Sequence, residues 1–490
     1  MKVLSYLTLL LLLITACDTQ KTTKGIASSQ KQQYALGQQL LKDYPQFKET
    51  TITDRRVAHQ TVQQLLQQLP TSFEVVEKGT SIEGRKIYLV SIGEGDIDVL
   101  LWSQMHGDEV TATMALMDIF NFLKDTTVMK EEKAQLLSEV KLHFIPMLNP
   151  DGAERFQRRN ALGVDINRDA LRLQSPEAQI LKQVRDSLKA DFGFNLHDQS
   201  RYYSAGDSDK PATISFLAPA YNEAREINQK RKEAMQVIAV MNQALQQQMP
   251  GQVAKYDDTF EPRAFGDNIQ KWGTRTILIE SGGYPQDREK QYIRQMNYLA
   301  ILSALFSIAE EGYKAYDIAE YHALPENQRK LLDLKLSKVR YPLNGKEYLL
   351  DLGIRRNESI GTVNDPFVYV GRITDVGDLS TSTAYQYFDA EGLRLQGGKV
   401  YPKVFQKVEE IGTLDMQALL KEGYTYVKVK ELAEEKRYAY LLPLLAEDQE
   451  PSRIGYGSHA TFLLKRGEVL EAAVVNGVLI KFSENVVLNK

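Results

Sequence analysis

The pair His106 and Glu109 has the residue types and the spacing of a metal site. The two residues follow the apolar run 99–105, which is typical of a buried strand. At a strand end, an imidazole and a carboxylate at this spacing can point at one atom, which gives two of the three protein ligands of a catalytic zinc. Because the chain has 6 histidines, roughly 0.4 such pairs are expected by chance, and the pair alone is a weak signal.

Further motifs lie at or near the ends of other predicted strands. They are Asn149–Gly152, Gly163–Asp169, His197–Asp198 and Glu280–Gly283. In an open α/β sheet, ligands bind outside the carboxyl ends of the strands. His106, Glu109, His197 and Glu280 therefore occur in the order required by a site with two histidines and one glutamate, followed by a general base.

Apolar runs of strand length alternate with helical periods from about residue 51 to 320, which predicts an α/β domain. The predicted strands are Lys86–Ile92, Val99–Met105, Lys141–Pro146, Phe192–His197 and Thr274–Ile279. The predicted helices are 54–69, 176–189, 220–248 and 288–310, with a further helical period from Ala112 to Leu123.

The motifs HGDE, NPDG, GVDINRD, LHD and IESGG, in this order, resemble those of the M14 zinc carboxypeptidases over roughly residues 70–310. The resemblance implies a mixed-sheet carboxypeptidase fold, one Zn²⁺ per chain, and a peptide substrate with a free terminal carboxylate. It also implies a role for each matching residue, namely zinc ligands at His106, Glu109 and His197, a general base at Glu280, a carboxylate clamp at Asn167 and Arg168, and polarisation of the scissile carbonyl by Arg158.

The chemistry of these residue types agrees with the implied roles. Zinc held by two imidazoles and a carboxylate lowers the pKa of its water towards 7. A carboxylate at Glu280 can take that proton and hand it to the leaving amine. An arginine at 168 offers two parallel donors to a carboxylate, so that a free chain end identifies the substrate.

Several of these assignments have structural alternatives. His197 could be a satisfied core histidine, and Glu280 could cap the turn that follows it. Arg158 could belong to a surface ion pair, and the adjacent Arg159 is its rival for the catalytic role. We interpret Asp165 as structural, binding local backbone amides or orienting a ligand histidine.

The chain departs from the family pattern at two motifs. Gly107 and Asp108 stand where many digestive members have an arginine that helps to bind the substrate carboxylate, so a positive charge is missing there. Asp169 and Ala170 follow the Asn-Arg pair, where an asparagine and an aromatic residue are common.

The specificity pocket and the mobile tyrosine of the family are harder to place. Tyr256 lies near the expected distance before the base, but Phe260 or Arg263 could occupy that position. The stretch 265–267 is the best candidate for the pocket that receives the released side chain. An acid in that pocket would favour basic side chains.

The N-terminus has the organisation of an export signal. Lys2 precedes the apolar segment 3–14, which is too short for a membrane-spanning helix. Small residues then lead to Cys17, the only cysteine, and this segment resembles the lipobox of bacterial lipoproteins. The resemblance implies lipidation of Cys17 and an exported protein with a lipid anchor, on the periplasmic or cell-surface side of a membrane. An ordinary signal peptide with a chance cysteine is the alternative.

The predicted organisation is a lipoprotein signal peptide at 1–17, a tether and leader at 18–50, an M14-like zinc peptidase domain at 51–325 and a smaller β-rich accessory domain at 335–490. The stretches 370–378 and 388–392 resemble the β-rich flanking part of amidohydrolases. Since no His-x-His metal motif accompanies them, this second resemblance implies a fold and no activity, and a generic β-sandwich is the alternative.

The predicted function is a zinc metallocarboxypeptidase. A net charge of −4 offers no basic surface, so nucleic acid is not expected as a partner. A cell-wall (murein) peptide hydrolase acting on muropeptides and an acyl-amino-acid deacylase stay open as alternative enzymes. A catalytically inactive peptide-binding lipoprotein is the alternative from another class. The sequence makes no prediction about the oligomeric state.

Overall fold

The computed structural model describes residues 31–360, 367–432 and 440–482. The chain divides into two compact units, Met1–Arg329 and Lys330–Lys490. The predicted signal peptide and its Cys17 lie outside the described residues. Within the described ranges, no helix is both long and apolar enough to cross a membrane.

A mixed β-sheet forms the centre of the first unit. In chain order, the strands are β1 (Glu74–Thr80), β2 (Lys86–Ile92), β3 (Ile97–Ser103), β4 (Val140–Ile145), β5 (Phe192–Asp198), β6 (Ser204–Ala205), β7 (Ile214–Leu217), β8 (Val253–Lys255), β9 (Arg275–Ser281) and β10 (Asn327–Gln328). Among the described residues, eight of them form one sheet in the order β1-β2-β4-β3-β5-β9-β7-β8. The neighbours β4, β3, β5 and β9 are parallel, whereas β2 and β7 pair antiparallel with β4 and β9.

Helices pack on both faces of this sheet. They are α1 (31–47), α2 (His59–Gln67), α3 (Thr111–Lys124), α4 (Lys130–Glu139), α5 (Pro150–Arg155), α6 (Pro176–Leu188), α7 (Gln229–Gln246), α8 (Phe265–Lys271), α9 (Gln291–Ala309) and α10 (Ile318–His322), with 3₁₀ helices at Ile166–Arg168 and Gly312–Ala315. Alternate residues of β3 face opposite cores: Leu101 packs with α3, α7 and α9, and Trp102 packs with α6 and α8. Burial on both faces explains why this strand is a continuous apolar run.

The α/β fold with a mixed sheet is confirmed, and the predicted strands agree closely with the structure. Lys86–Ile92 coincides with β2, and the others overlap β3, β4, β5 and β9 with shifts of one or two residues. The predicted helix 220–248 is wrong at its start, since α7 begins at Gln229. Asn228 caps α7 by accepting a hydrogen bond from the backbone N of Arg231 at 2.9 Å, which separates the helix from the segment before it.

Helix α1 lies within the predicted tether and leader, and it belongs to the first unit. Its Leu40, Tyr44 and Phe47 are buried in the same core as α3 and α9. Tyr44 Oη donates to Asp118 Oδ2 at 3.1 Å, and Arg294 Nε of α9 donates to the same oxygen at 2.7 Å. The folded unit therefore extends upstream of the predicted domain start.

The second unit is rich in β-structure, as predicted. Its elements are β11 (Leu331–Leu343), β12 (Lys346–Ile360), β13 (Phe367–Gly377), β14 (Thr383–Asp389), β15 (Arg394–Gln396), β16 (Lys399–Phe405), α11 (Met416–Lys421), β17 (Tyr424–Val429), β18 (Leu444–Ala446), β19 (Phe462–Arg466), β20 (Val469–Val475) and β21 (Val478–Lys481), with a 3₁₀ helix at Val408–Thr413. Within the described ranges, one sheet has the order β13-β12-β11-β15-β19-β20-β21, with β14 also paired to β11. A smaller sheet consists of β16, β17 and β18.

Candidate active site

The sheet brings His106, Glu109 and His197 together at the carboxyl ends of β3 and β5. Glu109 bridges the two histidines: its Oε1 lies 2.8 Å from His106 Nδ1, and its Oε2 lies 2.7 Å from His197 Nδ1. The two Nδ1 atoms are 3.2 Å apart. All three ligand atoms lie within 4.8 Å of one another, so these residues form a candidate metal-binding triad.

The chemistry of the triad fits zinc. Two imidazole nitrogens and one carboxylate form a donor set typical of catalytic zinc sites. Asp165 Oδ1 lies 3.1 Å from His106 Nε2. A proton on Nε2 would be shared with this carboxylate, which leaves the Nδ1 lone pair available for a metal. Asp165 Oδ1 also accepts from the backbone N of Asn167 at 3.0 Å, so both of the alternatives foreseen for this aspartate occur together.

Glu280 lies beside the triad on β9. It is paired in parallel register with His197 of β5, so both side chains project from the same face of the sheet. The Glu280 side chain is buried, and no described residue donates a hydrogen bond to it. Burial, and next the charge of Glu109, raise the pKa of Glu280 well above its usual range.

The structure places Arg158, and not Arg159, at the triad. Arg158 Nη1 lies 3.1 Å from His106 Nδ1 and 3.2 Å from Glu109 Oε1. Its Nε donates to Asp165 Oδ2 at 3.0 Å, which holds the guanidinium in position. Arg159 instead donates to the carbonyl oxygen of Gly163 at 2.9 Å in an exposed loop.

Asn167 and Arg168 lie together in the 3₁₀ helix that Asp165 caps. Asn167 Oδ1 accepts from the backbone N of Phe265, the first residue of α8, at 2.9 Å. Arg168 Nη1 donates to the carbonyl oxygen of Asn167 at 2.7 Å, and its Nε lies 3.4 Å from Glu261 Oε2. The predicted carboxylate clamp is therefore adjacent to α8, and one carboxylate of the chain already lies against it.

The family model of the zinc carboxypeptidases, peptidase family M14, matches residues 58–249. Residues 58–249 are therefore similar to an M14 zinc carboxypeptidase domain, and the first unit is called the M14 domain. The M14 domain is 30% identical over 186 residues to carboxypeptidase SOL1 of Arabidopsis thaliana, which covers 32% of this chain and 37% of that protein. Over 129 residues it is 26% identical to the human carboxypeptidase N catalytic chain, which covers 22% of this chain and 28% of that protein. The chain thus spans no more than 37% of the length of either of these curated relatives.

Solved structures of metallo-carboxypeptidases also align with the M14 domain. The enzyme from Burkholderia cenocepacia aligns with a TM-score of 0.41 at 20% identity, over 52% of this chain and 68% of that chain. The family match ends at residue 249, so Glu280 and α8 lie beyond it. The family uses zinc, and His106, Glu109 and His197 are its candidate ligands in this chain.

Electrostatics of the M14 domain favour a cation at the triad. Burial lowers the pKa of His106, but Glu109 and Asp165 outweigh burial and raise it to about 9. Burial raises the pKa of Glu109, whereas the imidazoles of His106 and His197 hold it well below its usual range. The buried carboxylate thus stays charged beside the ring nitrogens, which is the state that a metal ligand requires.

The departures from the family pattern have structural causes in the M14 domain. A Cβ atom on Gly107 would lie 2.0 Å from the carbonyl carbon of Gly152, so no larger residue fits where digestive members have arginine. Gly152 is held there because its backbone N donates to Asn149 Oδ1 at 2.9 Å. Asp169 Oδ2 accepts from the backbone N of Ser175 at 2.8 Å and so supports the start of α6.

Tyr256, one candidate for the mobile tyrosine, is half-buried. Burial, and next the charge of Glu280, raise the pKa of Tyr256. Arg263, considered for the same position, instead pairs with Glu261 at 3.1 Å. The only sequence signal for Tyr256 was its distance from Glu280 along the chain.

A partly buried ion pair behind the triad has only a faint sequence signal, the aspartate of the LHD motif. Lys290 Nζ lies 2.9 Å from Asp198 Oδ2 and donates to the carbonyl oxygen of Ser281 at 3.1 Å. Thr111 Oγ1 donates to the same aspartate oxygen at 2.7 Å. The backbone N of Asp198 donates to Glu109 Oε2 at 3.2 Å. These contacts join α3, β5, β9 and α9 around the ligand Glu109.

Proposed function

We propose that the M14 domain is a zinc metallocarboxypeptidase that hydrolyses the last amide bond of peptides with a free terminal carboxylate. The observation that carries the proposal is the position of Glu280. It is buried, unbonded among the described residues, and paired in register with the candidate ligand His197. A carboxylate held in this way beside a metal triad has the placement of a general base.

The side chains around the triad have separate roles in the proposed reaction. Bound zinc would supply polarisation of the scissile carbonyl and a lower pKa for the attacking water. Glu280 takes the proton of that water and returns it to the leaving amine. Arg158, at 3.2 Å from Glu109 and held by Asp165, donates to the carbonyl oxygen as negative charge develops on it.

Asn167 and Arg168 bind the terminal carboxylate in this proposal. The guanidinium supplies charge-assisted donors, and the NH₂ group of Asn167 adds a neutral donor. Asn167 Oδ1 is already used by the backbone N of Phe265, which fixes the orientation of that amide. A free carboxylate at the chain end is thereby the feature that the domain recognises.

Arg168→Ala is expected to lower kcat/KM for free-acid peptides by about 10- to 100-fold, because a hydrogen bond to a charged group contributes about 1.5–3 kcal/mol. Hydrolysis of the same peptides amidated at the C-terminus should stay at its low level. Paired peptides that differ only in amidation give the measurement. An equal loss on both members of the pair would place the clamp elsewhere.

Glu261→Gln is the matched opposite change. It removes the carboxylate that lies 3.4 Å from Arg168 Nε and competes with the substrate. Since partly exposed ion pairs contribute about 0.2–1 kcal/mol, KM for free-acid peptides should fall by about 1.4- to fivefold, with little change in kcat. The gain should vanish in the double variant with Arg168→Ala, and a gain that persists there would contradict the assignment.

We also propose that the chain is exported and anchored to a membrane through lipidated Cys17. The apolar segment 3–14, the small residues after it and the sole cysteine support this. More than one acyl chain is needed for stable anchoring. A palmitate analogue fed to the expressing bacterium should label the wild-type chain and spare Cys17→Ser, and a labelled variant would contradict the proposal.

The activity is tested by incubating the zinc-loaded chain with linear peptides and with muropeptides, and reading the products by mass spectrometry. Stepwise loss of C-terminal residues from the linear peptides is the expected result. Cleavage confined to muropeptides would move the function to cell-wall turnover. Stoichiometric zinc with no cleavage of either would favour the deacylase or the peptide-binding lipoprotein.

A further inference from the structure

The ammonium group of Lys290 joins the ends of the two strands that carry a candidate ligand and the proposed base. Lys290 Nζ lies 2.9 Å from Asp198 Oδ2 and donates to the carbonyl oxygen of Ser281 at 3.1 Å. Asp198 directly follows His197 on β5, and Ser281 directly follows Glu280 on β9. One side chain is therefore bonded to the residue after each reacting group, although the reaction proposed above gives it no role.

Both strands end at the residues that Lys290 joins. β5 ends at Asp198 and β9 at Ser281, and these two residues form the last pair of the parallel ladder. Regions with few hydrogen bonds open most easily, and the ends of strands are among them. The Ser281 carbonyl oxygen accepts from the backbone N of Gln199 at 3.0 Å, so Lys290 adds a second donor at this end. The ammonium thus restrains the strand ends where the ligand and the base lie.

The backbone of Lys290 has a strained conformation. Its φ of 52° is in the left-handed region, which is costly for a residue with a side chain. Lys290 immediately precedes α9, but Asp287 caps that helix: its Oδ1 accepts from the backbone N of Gln291 at 2.7 Å, and its Oδ2 accepts from that of Tyr292 at 3.0 Å. The side chain of Lys290 therefore points back to the sheet and takes no part in capping.

The charges of this pair are largely removed from water. The side chain of Lys290 is 13% exposed and that of Asp198 is 8% exposed. Such a pair is costly unless its geometry and its further hydrogen bonds offset the lost hydration. Thr111 Oγ1 supplies one of these bonds to Asp198 Oδ2 at 2.7 Å, and the backbone N of Asp198 donates to the candidate ligand Glu109 at 3.2 Å. A strained backbone and a desolvated charge thus coincide at one residue beside the reacting groups.

We propose that Lys290 is a positioning residue for the general base. Through Asp198 and Ser281, it fixes the distance between His197 and Glu280, and with it the place of the proton acceptor relative to the triad. A misplacement of about 1 Å can lower a rate by about 10²-fold, so such a restraint has a measurable effect. This inference rests on the proposed function.

The experiment compares the zinc-loaded wild-type chain with Lys290→Met, which keeps a side chain of similar length and removes its charge and its donors. The kcat for a free-acid peptide should fall by about 10- to 100-fold. KM and the zinc stoichiometry should stay unchanged, because neither the clamp nor the triad loses a residue. Lys290→Arg can donate to both oxygens and should keep kcat within a few-fold of the wild type.

Lys133→Met is the matched control. Lys133 Nζ also lies near an aspartate, at 3.3 Å from Asp125 Oδ1, and it donates to the carbonyl oxygen of Phe122 at 3.0 Å. Its side chain is 5% exposed, and it belongs to α4, which contributes no residue to the candidate site. With all assays run well below the Tm of each variant, Lys133→Met should lower Tm and keep kcat within a few-fold of the wild type.

A lower Tm with unchanged kcat in Lys290→Met, as expected for Lys133→Met, would make Lys290 a structural residue and overturn the inference. Loss of zinc together with kcat would also overturn it, because the variant would then act through the ligands. Either result leaves the proposed function intact, whereas no turnover by the wild type would refute the proposed function and the inference with it.

Thr111→Val gives a second test that does not depend on the folding of Lys290→Met. It removes the other described side-chain donor to Asp198 and leaves the ammonium in place. A smaller fall in kcat at constant KM and zinc stoichiometry is expected. Unchanged kcat in this variant, with Lys290→Met unfolded, would overturn the inference.

Discussion

Glu280→Gln is expected to lower kcat by about 10²- to 10⁴-fold, the usual contribution of a positioned general base. The amide keeps the size of the carboxylate but cannot accept the proton of the attacking water. Since no described residue is hydrogen-bonded to the Glu280 side chain, the change removes no structural contact. Glu280 is also not a member of the triad, so zinc should stay bound stoichiometrically and KM should change little.

Steady-state kinetics on a free-acid peptide, with metal content measured on the same preparation, give the result. Glu177→Gln is the matched control. Glu177 is also a buried glutamate whose pKa is raised by burial, but it lies in α6 and accepts from Asn160 Nδ2 at 3.2 Å. Its variant should stay within a few-fold of the wild-type kcat. Near-normal turnover in Glu280→Gln would mean that another group takes the proton.

The central strands could be predicted from sequence because they are buried on both faces. Such strands are short continuous apolar runs, and β2 matched its prediction at both ends. The start of α7 could not be predicted in the same way. The segment before it has helix-forming residues, but the guanidinium of Arg231 binds the carbonyl oxygen of Ala218 and the carboxylate of Asp258. Contacts with distant residues therefore outweigh the local helical preference there.

The candidate triad could also be predicted, because each ligand follows or ends a strand and parallel strands bring their carboxyl ends together. The choice between Arg158 and Arg159 could not be predicted. The two arginines are adjacent and chemically identical, so only the conformation of the folded loop decides which side chain points at the triad. The pairing of Glu261 with Arg168 depends on residues far apart in sequence. The side-chain amide of Asn195, a buried residue of β5, has no hydrogen-bond partner among the described residues. This too cannot be predicted from sequence, since it depends on all the residues that pack around the amide.

Disrupting the metal triad should abolish turnover. A chelator is expected to inactivate the enzyme, and added zinc should restore it. His197→Ala removes one of three candidate ligands, so that stoichiometric zinc and activity should both be lost. Asp165→Asn should act in the same direction but more weakly. Its carboxylate lies 3.1 Å from His106 Nε2, and loss of such a partner typically weakens metal affinity about 10- to 100-fold.

Two measurements test the same variants independently of turnover. One is the zinc affinity, measured by competition with a chromogenic chelator, and the other is the shift in Tm that zinc causes. A ligand that binds only the folded state raises Tm, so the shift should be large in the wild type, smaller in Asp165→Asn and absent in His197→Ala. His322→Ala is the matched control, because this histidine is exposed on α10 and is not part of the triad. It should keep both the Tm shift and the activity. Full zinc affinity in His197→Ala would show that the metal is held by other residues. The position of Glu280 beside His197 would then no longer support its assignment as the general base.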